Sequence, residues 1–81
     1  MLKRGTGRPR LVNDAVHFPM QDIRTREPVI CTISTTALAR RFEGRQGAYP
    51  GHVMAFLLLR EEIEEAAGFL YAQGARPPRL D

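Results

Sequence analysis

Residues 52–74 of the chain read HVMAFLLLREEIEEAAGFLYAQG, and this stretch decides the fold. Its apolar residues recur at alternating spacings of three and four, which is typical of a helix with one buried face. That seam consists of Phe56, Leu59, Ile63, Ala66 and Leu70. We therefore predict a long amphipathic helix from about His52 to Gln73, ended by Gly74. Its other side carries a solvated acidic face of Glu61, Glu64 and Glu65.

Two segments upstream of this helix alternate with the period of a half-buried strand. In residues 15–20, the side chains of Val16, Phe18 and Met20 share one face. In residues 29–34, the side chains of Val29, Cys31 and Ile33 share one face. Gln21 to Glu27 can reverse the chain, so we expect an antiparallel hairpin. Pro19 has no amide hydrogen, which predicts an edge strand or a bulge at this position.

Ser34 is placed to cap a short helix, because its hydroxyl can accept an amide hydrogen of the first turn. Leu38 and Phe42 would form the buried face of this helix. The predicted fold is α+β, with an antiparallel β-hairpin, a short helix and a long amphipathic helix in ββαα order. It forms a single domain over residues 12–75, and a Pro-rich C-terminal tail follows over residues 76–81.

Residues 1–11 are rich in Gly, Arg and Pro and show no periodicity, which predicts a flexible basic arm. They contain four basic residues and no acid, whereas the rest of the chain has eight Arg against nine Asp and Glu. Gly7 to Arg10 are similar to the core of an AT-hook, although Thr6 stands where that motif has its first arginine. Candidate nucleic-acid contacts are Lys3, Arg4, Arg8 and Arg10.

A known family shares an ordered series of residues with this chain from the first strand to the end of the last helix. These residues are Val16, Phe18, Pro19, Met20, Val29, Cys31, Ile33, Ser34, Ala37, Leu38, Phe42, Phe56, Arg60, Ile63, Glu64, Ala67, Tyr71 and Gly74. Because of these residues, the segment from about 14 to 74 resembles a short bacterial family, the domain of unknown function 1488. The resemblance implies a compact α+β fold and another short strand after the last helix, for which residues 76–81 remain. It carries no assigned activity, cofactor or catalytic residue.

The sequence contains no catalytic constellation, so we do not expect an enzyme. Cys31 with His17 or His52 could supply a nucleophile and a base, but the alternation places Cys31 on the core face and His17 on the other. We interpret Cys31 as a buried structural thiol. The three residues lack the spacing of a zinc site, and no glycine motif follows a strand as in a nucleotide-binding loop. Neither a metal, a cofactor nor a small-molecule ligand is expected.

Association through apolar surface remains as a function. The apolar stripe nearly encircles the start of the long helix, where Val53, Met54, Leu57 and Leu58 add to the seam. We hypothesise a non-enzymatic protein-interaction module that self-associates there, although these turns could instead be sandwiched inside the fold. The alternative is a DNA-binding accessory protein that uses the basic arm. No apolar run reaches the length of a membrane span and no secretory signal is evident, so a cytoplasmic location is expected.

Overall fold

Five strands and three helices make up the computed structural model, which describes residues 1–81. In chain order they are β1 (Leu2–Arg4), β2 (Arg10–Val12), β3 (Ala15–Asp22), β4 (Pro28–Ser34), α1 (Thr35–Phe42), α2 (His52–Leu58), α3 (Arg60–Ala72) and β5 (Arg79–Leu80). The α+β class predicted from the sequence is confirmed. The ββαα order is corrected to ββββαααβ, with all five strands in one mixed sheet.

The predicted hairpin is confirmed as the centre of the sheet. β3 and β4 pair antiparallel in a register that sets Val16 opposite Ile33 and Phe18 opposite Cys31. All four of these side chains are fully buried, because directly opposed residues on an antiparallel pair share one face. The apolar alternation of both strands therefore fixes the side of the sheet on which the helices pack.

The N-terminal residues do not form the flexible arm that their composition predicts. β1 pairs antiparallel with the end of β3, with Leu2 opposite Asp22, and β2 pairs antiparallel with its start, with Leu11 opposite Val16. Strands of three residues carry almost no periodic signal of their own. Their pairing with β3 supplies the order that the local sequence lacks.

Pro19 lies in the central strand β3 and not at an edge, which corrects the prediction. The amide N of Gly5 donates to the Pro19 carbonyl O at 3.0 Å, so this side of Pro19 faces residues 5–9, between β1 and β2. The missing amide hydrogen of Pro19 falls on the same side. The partner strand is interrupted there. Gly5 fits this close approach because a Cβ at its position would lie 3.0 Å from the Met20 carbonyl O.

The C-terminal residues contribute a strand instead of forming only a Pro-rich tail. β5 runs parallel to β4, with Leu80 beside Ile33, and the Thr32 amide N donates to the Pro78 carbonyl O at 3.2 Å. Pro78 and Leu80 are both buried. The sheet order is β1–β3–β4–β5, with β2 beside β1 on the same side of β3. β3 therefore has partner strands on both sides, whereas β5 covers the second edge of β4 only at Thr32 and Ile33.

Helix α1 begins as the sequence predicts. The Ala37 amide N donates to Ser34 Oγ at 3.0 Å, which satisfies one of the free amides of the first turn. Leu38 and Phe42 are buried, together with Ala37.

The long helix predicted over residues 52–73 is divided into α2 and α3 at Leu59, whose φ and ψ are −106° and 11°. Phe56, Leu59 and Ile63 of the predicted seam are fully buried. Beyond them the most buried positions are Ala67 and Tyr71, while Ala66 and Leu70 pack at the margin of the core. The break lets each helix bury its own residues against the sheet. None of the three helices has the length and apolar character needed to cross a lipid bilayer.

The three helices cover one face of the sheet, which we call the inner face. Its core includes Val16, Phe18, Ile33, Phe56 and Ile63, and the rings of Phe18 and Phe56 lie 4.8 Å apart between centroids. The opposite face of the sheet, which we call the outer face, has no element packed over it. The molecule thus has two layers, a helix layer and a sheet layer, and the outer face of the sheet is open to solvent.

Arg4 ties β1 to the helix layer. Its Nε and Nη2 donate to the two carboxylate oxygens of Glu64 on α3 at 2.8 and 2.9 Å, and Arg60 Nε donates to the same carboxylate at 2.9 Å. Only 13% of the Glu64 side chain is exposed. Burial disfavours its charge, but the hydrogen bonds from Arg4 and Arg60 prevail and lower the pKa of Glu64.

We predict that Arg4→Gln loosens β1 without unfolding the domain. The substitution removes a bidentate ion pair in which the Arg4 side chain is half exposed. We expect the free energy of local opening of β1 to fall by about 1 kcal/mol, which is about a fivefold increase in the opening equilibrium constant. Native-state hydrogen exchange at the Gly5 and Ile23 amides, which are bonded to Pro19 and Met1, measures it. Arg45→Gln is the control, since the Arg45–Glu62 pair is exposed on both sides. Unchanged exchange at both amides would contradict the prediction.

Candidate functional site

A cluster of exposed apolar side chains lies on α2. Met54, Leu57 and Leu58 are 50%, 43% and 59% exposed, and Val53 is half-buried beside them. Their spacing sets them on one side of the helix, while Ala55 and Phe56 turn to the core on the other. We call Val53, Met54, Leu57 and Leu58 the α2 patch. The sequence interpretation that these turns are sandwiched inside the fold is therefore wrong for Met54, Leu57 and Leu58.

Strand β2 extends the apolar surface beside the α2 patch. Leu11 is opposite Val16 in the register and so lies on the inner face, yet it is 47% exposed. Helix α2 contacts β2. Leu11 thus adds exposed apolar surface on the strand that α2 contacts.

A groove of about 670 Å³ borders the α2 patch at its C-terminal end. Leu57 and Leu58 form its apolar wall, and charged residues of both signs complete it: Arg4, Arg45, Arg60, Glu61, Glu62 and Glu65. Arg45 Nη2 donates to Glu62 Oε1 at 3.0 Å. Glu61 and Glu65 form no ion pair within the chain. The rim of the patch therefore offers unpaired acids close to arginines.

The four basic residues of the N-terminal segment are not brought together. Arg4 is directed to α3 by its pair with Glu64, which takes it out of the nucleic-acid set. Lys3 is opposite Gln21 and Arg10 is opposite His17, which places both on the outer face of the sheet. Arg8 lies between β1 and β2 and is exposed. The predicted contact set thus becomes Lys3, Arg8 and Arg10, on or next to the outer face.

A buried polar cluster at the end of β3 was not found by the sequence analysis. The Tyr71 hydroxyl donates to Asp22 Oδ2 at 2.6 Å, and the amides of Arg24 and Thr25 donate to Asp22 Oδ1 at 2.8 and 3.2 Å. The Arg76 guanidinium lies 4.2 Å from the Tyr71 ring centroid. Asp22 follows Val16, Phe18 and Met20 at a spacing of two, which places it on the inner face of β3. This spacing is the one signal in the sequence that Asp22 is buried.

The Asp22 cluster connects the end of β3, the turn that follows it, α3 and the segment after α3, and we interpret its role as structural. The hydrogen bond from Tyr71 is the main cause that lowers the pKa of Asp22 from 3.8 to about 2, and the amide of Arg24 adds to it. The same hydrogen bond raises the pKa of Tyr71. With a firmly ionised carboxylate and a firmly protonated phenol, the pair is poorly suited to exchange protons near neutral pH.

The residues considered for catalysis do not come together as a nucleophile and a base. Cys31 is fully buried on the inner face, and burial raises the pKa of its thiol to about 12, which leaves it protonated and unreactive. His17 lies on the outer face. His52 Nδ1 is 2.8 Å from the Tyr49 hydroxyl, at the start of α2. No three His, Cys, Asp or Glu side chains come together as a metal site would require.

Comparison with known proteins gives one result. The model of a family described as "Protein of unknown function (DUF1488)" matches residues 12–78. This confirms the resemblance that the sequence carries. No curated protein and no solved structure matches the chain.

We predict that Asp22→Asn destabilises the protein at neutral pH and that the difference disappears in acid. The folded-state pKa is depressed, so the stabilisation by Asp22 is fully present above its ordinary pKa near 4 and is lost as the pH falls through about 2. Urea unfolding at pH 7, 4 and 2 measures the convergence of the two proteins.

Asp14→Asn is the matched control, since Asp14 is exposed in the turn between β2 and β3. It should leave the unfolding midpoint nearly unchanged at pH 7. A constant difference between the wild-type protein and Asp22→Asn from pH 7 to pH 2 would contradict the assignment.

Proposed function

This chain belongs to the DUF1488 family, and we propose that it is a non-enzymatic protein-interaction module that forms a homodimer through α2. The observation that carries the proposal is the α2 patch, in which three large apolar side chains on one helix face are each 43% or more exposed. Contiguous apolar surface of this kind is typical of a protein–protein contact.

The total surface of the chain supports a partner. The folded chain exposes 5486 Å². A compact monomer of its mass, 9.1 kDa, exposes about 4,900 Å². The chain thus exposes about 600 Å² more than a compact monomer of its mass, which leaves surface for a partner to cover.

The charges around the patch favour a second copy as that partner. A twofold interface brings the same surface of both subunits together, so it must be complementary to itself. The groove beside Leu57 and Leu58 contains the unpaired acids Glu61 and Glu65 as well as Arg45, which is about half exposed. In a twofold arrangement, arginines of one subunit can face the acids of the other, whereas a rim of one sign would repel its copy.

The alternative route to self-association, through a sheet edge, has less support. The edge beside β3 is interrupted between β1 and β2, and the other edge is the two-residue strand β5. Short and interrupted edges are poor templates for strand addition. This leaves the helix layer as the favoured contact.

The proposal predicts that Leu58→Glu converts a dimer into a folded monomer. One substitution introduces two carboxylates into a twofold interface, where desolvation of each is unfavourable, so we expect the dissociation constant to rise by at least about 100-fold. Sedimentation equilibrium over a range of protein concentrations measures the change. The far-UV circular dichroism should stay the same, because Leu58 is 59% exposed and contributes little to the core.

Phe69→Glu is the matched control, because Phe69 is 64% exposed on α3 and lies outside the patch. This variant should remain dimeric. A wild-type chain that is monomeric at all accessible concentrations would refute the proposal, and so would a Leu58→Glu protein with unchanged dissociation constant.

A further inference from the structure

The outer face of the sheet carries basic side chains and no acidic one. Strand alternation and pairing register assign to this face Lys3, Arg10, Val12, Ala15, His17, Pro19, Gln21, Pro28, Ile30, Thr32, Ser34 and Arg79. The glutamates at positions 43, 61, 62, 64 and 65 all lie in or at the ends of the helices. Of the other four acidic residues, Asp22 is buried on the inner face, Asp14 and Glu27 lie in the loops at the ends of β3, and Asp81 follows β5. The paired strands therefore place basic side chains and no acidic one on the outer face.

One row of residues crosses the whole sheet at right angles to the strands. Arg10 on β2 is opposite His17 on β3, His17 is opposite Thr32 on β4, and Thr32 is opposite Arg79 on β5. We call Arg10, His17, Thr32 and Arg79 the transverse row. Three strand spacings separate the Cα atoms of its two arginines, or about 14 Å. Every member of the row has a side chain that can donate a hydrogen bond to an anion.

The cations of the outer face have no partner within the chain. Arg4, Arg41, Arg45 and Arg60, which belong to the helix side, all form ion pairs with glutamates. Lys3, Arg10 and Arg79 form none and are exposed. Arg79 also borders a groove that includes Glu62, Glu65 and Asp81, but no ion pair holds it there. All three cations can therefore attract an external anion.

The loop between β1 and β2 brings a further cation to the same side. A Cβ at Gly7 would lie 3.5 Å from the Pro19 Cγ, so the loop bends over the outer face where the Pro19 ring stands. Arg8 follows directly in this loop. Beside it, a groove of about 280 Å³ includes Thr6, Pro19, Arg26 and Ile30. Basic residues thus surround the outer face as well as crossing it.

We propose that the outer face binds the phosphate backbone of duplex DNA without sequence specificity. A polyanion with regularly spaced phosphates fits two arginines about 14 Å apart, as a single phosphate does not. The face carries no Phe, Tyr or Trp side chain on which the bases of a single strand could stack, and His17 is its one aromatic ring. Its most exposed large apolar residue is Ile30, and it lacks the Trp, Phe and Leu side chains with which proteins enter a lipid surface.

Fluorescence anisotropy of the full chain with a labelled 20-base-pair duplex tests the proposal. We expect Arg10→Ala/Arg79→Ala to weaken binding by about tenfold at 0.1 M salt and to reduce the slope of log K against log salt by about 2. The matched control is Arg40→Ala/Arg41→Ala, which removes the same charge from exposed positions on α1. This control should weaken binding less than threefold.

A second measurement on the wild-type protein does not depend on any variant's folding. Titration of the duplex into the ¹⁵N-labelled chain should shift the amide signals of the transverse row and of residues 5–8, and leave those of α3 in place. The proposal is overturned if both double variants weaken binding equally, if the shifts fall on the helices, or if the wild-type chain does not bind the duplex. Tighter binding to single-stranded oligo(dT), or binding only to anionic phospholipid vesicles, also overturns it.

Discussion

The one-sided burial of β3 is the constraint on which the rest of the structure depends. Val16, Phe18, Met20 and Asp22 alternate along this strand with residues of the outer face, and all four are buried. β3 is also the only strand that pairs with three others, namely β1, β2 and β4. A slip of one residue in its register would turn every buried side chain outward. The alternation of side chains along β3 therefore determines which face of the sheet the helices cover and which charged side chains lie on the other face.

The parts of the fold that the sequence predicts are those with local signals. The hairpin follows from period-two alternation over two long segments. The start of α1 follows from Ser34, whose side chain accepts a hydrogen bond from the amide three residues later. The strands β1, β2 and β5 contain two or three residues each, which is too few for a period to be read. Their order comes from pairing with β3 and β4, and such long-range pairing overrides a composition rich in Gly, Arg and Pro.

The candidate sites differ in the same way. The α2 patch could be predicted because an apolar stripe too wide for one core face is a property of a single helix. The transverse row could not, since Arg10, His17, Thr32 and Arg79 come from four strands and meet only through the register. The Asp22–Tyr71 hydrogen bond joins residues 49 positions apart, and no pattern in the sequence connects them. Basic residues in the first eleven were recognised, but the one among them that pairs with Glu64 could not be distinguished from the others.

The separation of charge between the layers makes the two proposed surfaces compatible. Acidic residues concentrate on the helix layer, where they pair with Arg4, Arg41, Arg45 and Arg60 or stand beside the α2 patch. A dimer formed through that layer would bury mixed charges and apolar groups and would leave the outer face of each sheet uncovered. Each dimer would then present two basic faces. Two linked faces bind one polyanion more tightly than either alone whenever both can reach it, because the second contact becomes intramolecular. Self-association through α2 would therefore raise the affinity of the sheet for a long anionic partner without any change in the sheet itself.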